Sequence, residues 1–183
     1  MLAEMTKSIF QAGFNWDVIR QRWQAFEDAF WQFDITRCAN MSIGDIQQLS
    51  NNEHIVKNRA KIESVQKNAN MILNVSKHHS SFASMIAYWE EDDFINLLAY
   101  LQTHGARLGT KTAQFFLRHI GKDGFLLGED GIRALKHFGI IKNAPATKTE
   151  MQTVQNVFNH WNKETSYGLA KVSAILALSI DNS

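Results

Sequence analysis

The stretch Leu108-Gly109-Thr110-Lys111-Thr112-Ala113, continued by Gly121-Lys122-Asp123-Gly124-Phe125-Leu126-Leu127-Gly128-Glu129-Asp130, decides how this chain is read. A glycine turn opens directly into a helix start that carries a lysine and two hydroxyls, so free backbone N–H groups and a positive dipole end face outward. That arrangement suits a phosphate. An ordinary interhelical turn with a solvated lysine begins the same way. What adds to the signal is the loop that follows, which returns the chain to a carboxylate, Asp130, at the start of the next helix.

Working outward, the turn is preceded by an apolar stripe, Phe94, Leu97, Leu98 and Leu101, ended by His104-Gly105 and started by an acidic segment over residues 89–93. The helix that opens at Thr110 is expected to stop at Gly121, and another over residues 129–138 to stop at Gly139. Upstream, Trp16, Ile19, Trp23, Phe26 and Phe30 recur at threes and fours behind Asn15, a good N-cap, and predict one long helix. Ser42-Ile43-Gly44-Asp45 reads as a capping box with Asp for Glu. Ile62, Val65, Ala69, Ile72 and Leu73 share one face of a further helix whose first half is basic. Past Pro145 two more helices are predicted, joined by a turn over residues 166–168. The chain contains a single proline and no hairpin-flanked alternating segment, so the expected fold class is all-α.

Composition narrows the function. With 183 residues, 45% hydrophobic and 20% charged, and a mean hydropathy of -0.25, the chain is expected to fold as one domain over residues 1–183. The 19 Lys+Arg against 18 Asp+Glu give no bulk argument for a polyanion, so contact with nucleic acid must come from local patches. The one cysteine, Cys38, excludes an internal disulfide, a four-cysteine zinc site and a cysteine-held iron–sulfur cluster. No apolar run approaches the roughly 20 residues that span a bilayer. Glu4 and Lys7 stand where a signal peptide would be apolar, and the expected location is cytoplasmic, with no membrane contact and no cofactor. His78-His79 reads as a solvated helix end, and no metal site is expected.

The hairpin with its following carboxylate resembles the helix-hairpin-helix DNA glycosylase superfamily. Two further motifs, Phe10-Gln11-Ala12-Gly13-Phe14-Asn15-Trp16 and Ile55-Val56-Lys57-Asn58-Arg59-Ala60-Lys61-Ile62, are similar to blocks of the DNA-3-methyladenine glycosylase I family. The resemblance covers roughly residues 2 to 180 and implies a two-lobed fold with the active-site cleft between lobes and the hairpin at about residues 103–120. It also implies a base-excision enzyme that flips an alkylated purine such as 3-methyladenine out of double-stranded DNA and hydrolyses its N-glycosidic bond, with no obligate protein partner.

The roles implied are specific. Asp130 is the catalytic carboxylate, with Glu129 its neighbouring rival. Trp16, Ser8 and Gln11 form the base pocket, and Gly13 and Phe14 the wedge that fills the gap in the DNA. Arg107, Gly109, Thr110, Thr112, Asn58, Arg59 and Lys61 meet the DNA backbone. Lys111 is either a phosphate contact or, in a bifunctional enzyme, the Schiff-base lysine of an abasic-site lyase. The chain also departs from the pattern. Ser8 stands where the family has its base-reading glutamate, Arg107 replaces the first hairpin glycine, and the Cys and His segments that hold zinc in founding members are missing. Ser8 is the feature that favours a different class, a non-catalytic DNA-binding module of the same fold.

Overall fold

The structure is a computed structural model and describes residues 1–180. Twelve α-helices carry the fold: α1 Leu2–Gln11, α2 Trp16–Gln21, α3 Trp23–Ala29, α4 Ile35–Ala39, α5 Ile43–Asn51, α6 Arg59–Val75, α7 Phe82–Ala87, α8 Phe94–His104, α9 Thr110–His119, α10 Glu129–His137, α11 Lys148–Thr165 and α12 Leu169–Leu178. No strand occurs among the described residues, and none of the helices is long and apolar enough to cross a membrane.

Local chemistry explains most boundaries. Ser42 and Asp45 exchange the two hydrogen bonds of a capping box at the start of α5, as the sequence predicts. Gly121 and Gly139 take positive φ, +82° and +70°, just past α9 and α10. The helix expected over residues 16–30 is broken at Arg22, whose φ of −94° and ψ of 5° separate α2 from α3. After α3 the chain makes a left-handed turn in which Trp31, Gln32 and Phe33 all have φ between +51° and +55°. Left-handed backbone costs an L residue about 1–2 kcal/mol. An aromatic cluster offsets it: Trp23, Phe26, Phe30 and Phe33 stack with centroid separations of 5.5 to 6.4 Å, and Arg37 lies 4.3 Å over the Trp31 ring.

The helices fall into two packed groups. In the first, α6 is central, with α1, α4 and α5 against it, and in the second, α12 packs on α10 and α11. Helices α8 and α9 join them, α9 packing on α1 and α8 on α11. The second group is tied back by long-range contacts. Asp123, in the loop after α9, accepts from the backbone N–H of Leu169 (2.7 Å) and Ala170 (2.8 Å) and so caps α12. Phe125 stacks on Phe158 at 4.6 Å and meets Phe94 edge-on at 5.2 Å, while Gln155 caps the amide of Ile95 at the start of α8.

Candidate functional site

Helix α1 buries Leu2, Met5, Ile9 and Phe10 and so fixes which way its remaining face points. Ser8 and Gln11, one turn apart, are on α1 and buried, each 3% exposed. The chain then turns through Gly13 (φ +68°), leaves Phe14 43% exposed, and enters α2 with the Asn15 carboxamide accepting from Asp17 N–H at 2.8 Å. That cap sets the position of Trp16, which meets Phe115 of α9 edge-on at 5.0 Å. Between α1 and α9 the chain encloses a cavity of about 260 Å³ lined by Ser8, Gln11, Ala12, Gly13, Trp16, Lys111, Thr112 and Phe115. This is below the roughly 300–1,000 Å³ of drug-sized sites and on the scale of a single base. Hollows of 580 to 780 Å³ elsewhere on the surface hold none of the residues expected to bind the base or the DNA.

The hairpin between α8 and α9 is tightly specified. A Cβ on Gly105 would sit 2.7 Å from the Leu101 carbonyl. Arg107 takes φ +60°, so the residue that replaces a hairpin glycine adopts the backbone a glycine would favour. Buried Asn68 of α6 clamps the turn, donating to the Ala106 carbonyl (3.1 Å) and accepting from its N–H (2.7 Å). Arg107, Gly109, Thr110 and Lys111 are exposed, and no side chain caps the start of α9. The turn therefore presents its backbone N–H groups to solvent.

Three residues expected on the DNA backbone have other work. Asn58 caps α6, accepting from Lys61 N–H at 3.1 Å. Arg59 pairs with Glu63 at 2.8 Å and reaches Gln47 at 3.3 Å. Lys61 is buried, and its Nζ donates to the carbonyls of Phe10 (3.1 Å) and Ala12 (2.7 Å), pinning the end of α1. Burial lowers the pKa of its ammonium below the usual lysine value, and nearby Arg107 lowers it further. Lys61 is thus a strut behind the cavity wall, and the reading of it as a phosphate ligand is corrected by its burial.

Asp130 is also set apart. It lies in the first turn of α10, 53% exposed, paired with Arg133 at 3.0 Å, and neither it nor Glu129 lines the cavity. Conversely, His119 was not singled out by the sequence. Its Nδ1 lies 3.4 Å from Ser8 Oγ, and its ring packs edge-on to Trp16 and near Phe115, each at 6.3 Å. Among the described residues no group of three or more His, Cys, Asp or Glu is placed to hold a metal ion.

A family model described as methyladenine glycosylase matches residues 2–132. The chain belongs to the methyladenine glycosylase family. Among curated members, DNA-3-methyladenine glycosylase of Haemophilus influenzae is 33% identical over 76 residues, 42% of this chain and 41% of that protein. DNA-3-methyladenine glycosylase 1 of Escherichia coli is 26% identical over the same length and shares. The matched segment thus spans about two-fifths of these relatives. A crystal structure of 3-methyladenine DNA glycosylase I superimposes with a TM-score of 0.57 at 23% identity, over 66% of this chain and 76% of that one. An 8-oxoguanine glycosylase/lyase of Methanocaldococcus jannaschii, in complex with DNA containing 8-oxoguanine, covers 97% of this chain and 79% of its own, with a TM-score of 0.58 and 14% identity. The family's fold is the all-α helix-hairpin-helix glycosylase fold, and this chain has it.

Proposed function

We propose that this protein is a DNA base-excision glycosylase acting in the cytoplasm, which extrudes a damaged purine of the 3-methyladenine class and hydrolyses its N-glycosidic bond. The observation that carries this reading is the convergence of Ser8, Gln11, Trp16, Lys111 and Thr112 on one base-sized cavity in a chain of this family. A base stacked in a duplex is out of reach of any side chain, so it must be flipped. In this reading Phe14, exposed on the Gly13 turn beside the cavity, fills the vacated stack. Arg107, Gly109 and Thr110 hold the backbone phosphate through the open end of α9, with Lys111 as a point charge beside them. Trp16 and Phe115 give the flipped ring aromatic walls, and stacking of this kind contributes about 1–3 kcal/mol per base. An alkylated purine is already a good leaving group, so positioning and desolvation supply most of what the protein must add.

A second reading, a non-catalytic DNA-binding module, is favoured by one observation: no carboxylate lines the cavity. Incubation with methylated duplex DNA separates the two. Release of free 3-methyladenine is expected from the intact protein, and a fall of about tenfold or more from Trp16→Ala, the stacking loss expressed as rate. Binding to abasic DNA without any base release establishes the non-catalytic module instead.

A further inference from the structure

We propose that the outer face of α12 pairs with the same face of a second copy of this chain, about a two-fold axis, to form a homodimer. This goes beyond the glycosylase reading and does not rest on it. The first support is the helix itself. Among its ten residues Lys171 carries the only charge and Ser173 the only hydroxyl, so α12 is apolar nearly all round, which is the composition of a buried helix. Only one side of it is covered. Leu169, Val172, Ser173 and Leu176 are buried where α12 packs on α10 and α11, while Lys171, Ala174, Ile175 and Leu178 are exposed and recur at helical spacing as one stripe. Leu178 is 84% exposed.

The second support is the shape of that face. Phe138, Trp161, Tyr167, Val172, Ile175 and Leu176 line an open groove of about 390 Å³ with no charged residue in its wall. That volume falls in the roughly 300–1,000 Å³ range of clefts that take up a ligand, and here the lining suits apolar side chains. Groove and anchor share one face, since Ile175 is in the wall and Leu178 stands one turn further along the helix. A two-fold axis brings the anchor of each copy to the groove of the other, which is the self-complementarity an isologous interface needs.

Area and charge favour a second copy as the occupant. Phe138, Tyr167 and Ile175 are each about half exposed. With Leu178 they present roughly 400 Å² of apolar side chain, at about 200 Å² for a whole aromatic residue and somewhat less for an aliphatic one. A standard interface buries about 800 Å² per partner, a little over half of it apolar, so the patch is close to what a dimer needs. Lys171 lies in the first turn of α12, its ammonium 3.8 Å from the centre of the Tyr167 ring, and it forms no ion pair among the described residues. With the two helices antiparallel, each Lys171 comes to the carbonyl end of the other copy's α12, where the dipole favours a cation, and the two ammonium groups lie at opposite ends of the pair. Every residue of this face lies beyond residue 132, outside the segment that matches the family, and none lines the base cavity.

Sedimentation equilibrium of the intact chain tests the pairing over about 1 to 200 µM, a range that brackets micromolar dissociation constants. Wild type is expected to be a dimer at the upper end and a monomer at the lower, with a Kd of about 10 µM. Leu178→Glu, which brings a carboxylate to the apolar groove, should raise that Kd about a hundredfold or more. Because Leu178 is exposed in the single chain, the variant should melt with wild type at about 1 µM, where both are monomers. Ala174→Cys places a thiol at the middle of the stripe, where the two-fold axis sets it against its own counterpart. Under mild oxidant it should give a disulfide-linked dimer, with the native Cys38 silent because it is buried. Adding Leu178→Glu to that variant should abolish the crosslink. A wild type that stays monomeric at the highest concentration overturns the proposal. So does a Leu178→Glu chain that dimerises as tightly as wild type, or an Ala174→Cys chain that crosslinks no faster than the double variant.

Discussion

Asp130 matches the motif's catalytic carboxylate by position and does not line the cavity. The resemblance makes it the catalytic carboxylate, yet it is half-exposed, bonded to Arg133 and absent from the cavity wall. Because Asp130 is exposed and lies off the cavity wall, we expect Asp130→Asn to keep base release within about fivefold of wild type, and loss of its pair with Arg133 to cost at most about 1 kcal/mol of stability. A hundredfold loss would return Asp130 to the reaction. Lys111 lines the cavity but is exposed at the start of α9, where an ammonium stays solvated and acts as a point charge. Borohydride added during reaction with abasic DNA should therefore trap no covalent adduct. An adduct lost in Lys111→Gln would make the protein a lyase as well. Gln11 and Trp16, inside one short contiguous motif, and Ser8, three residues before Gln11, can be grouped from sequence alone, and all three line one cavity. His119 cannot be, because its contact with Ser8 depends on α9 facing α1, and no local pattern encodes that.

At the level of elements, motif residues read as DNA contacts turn out to build the frame. Asn58 and Lys61 set the start of α6 and hold the end of α1, and about two turns further along α6 Asn68 holds the hairpin. We expect Asn68→Ala to cost about 1–3 kcal/mol, the range for leaving a buried partner unsatisfied. It should also weaken DNA binding and flatten its salt dependence, since a loosened turn contacts fewer phosphates. Unchanged salt slopes in titrations of duplex DNA would separate the clamp from the phosphate grip. Helix starts were the most readable features, because a cap is a local hydrogen bond: Asn15 and Ser42 behave as their types predict. The Thr147–Glu150 box that opens α11 follows the same local rule. The break at Arg22 was hidden, because the apolar spacing of Trp16, Ile19, Trp23 and Phe26 continues across it while the backbone does not. Helix α1 carries Leu2, Met5 and Ile9 at helical spacing, a signal masked by its overlap with the glycine-containing motif that follows.

For the whole molecule, Lys61 links stability to pH. Its pKa is depressed in the fold, mainly by burial, from the ordinary lysine value of 10.5. Below the depressed value both folded and unfolded chains hold the proton, and the penalty of burying the charge is present in full. Between that value and 10.5 the unfolded chain binds the proton that the folded chain has released, so stability rises with pH. Chemical denaturation over this alkaline window should show wild type gaining stability relative to Lys61→Met. A parallel pH course for the two proteins would show that the ammonium titrates normally. The all-α class was plain from composition and periodicity. The grouping of helices was not, since it rests on long-range contacts such as Asp123 with α12 and Gln155 with α8.

Those contacts bear on the order in which the protein is made. The segment that matches the family ends at residue 132, yet Phe125, which meets Phe94 inside it, completes its packing on Phe158 of α11. During translation the hairpin and the cavity walls leave the ribosome first, while the apolar surface they share with the later helices stays uncovered until α11 and α12 follow, a matter of seconds at ordinary elongation rates. The nascent chain therefore passes through an interval in which the residues of the hairpin and the cavity have been made and those of α11 and α12 have not. It is in that interval, not in the finished protein, that the buried aromatic stack is open to chaperones and proteases.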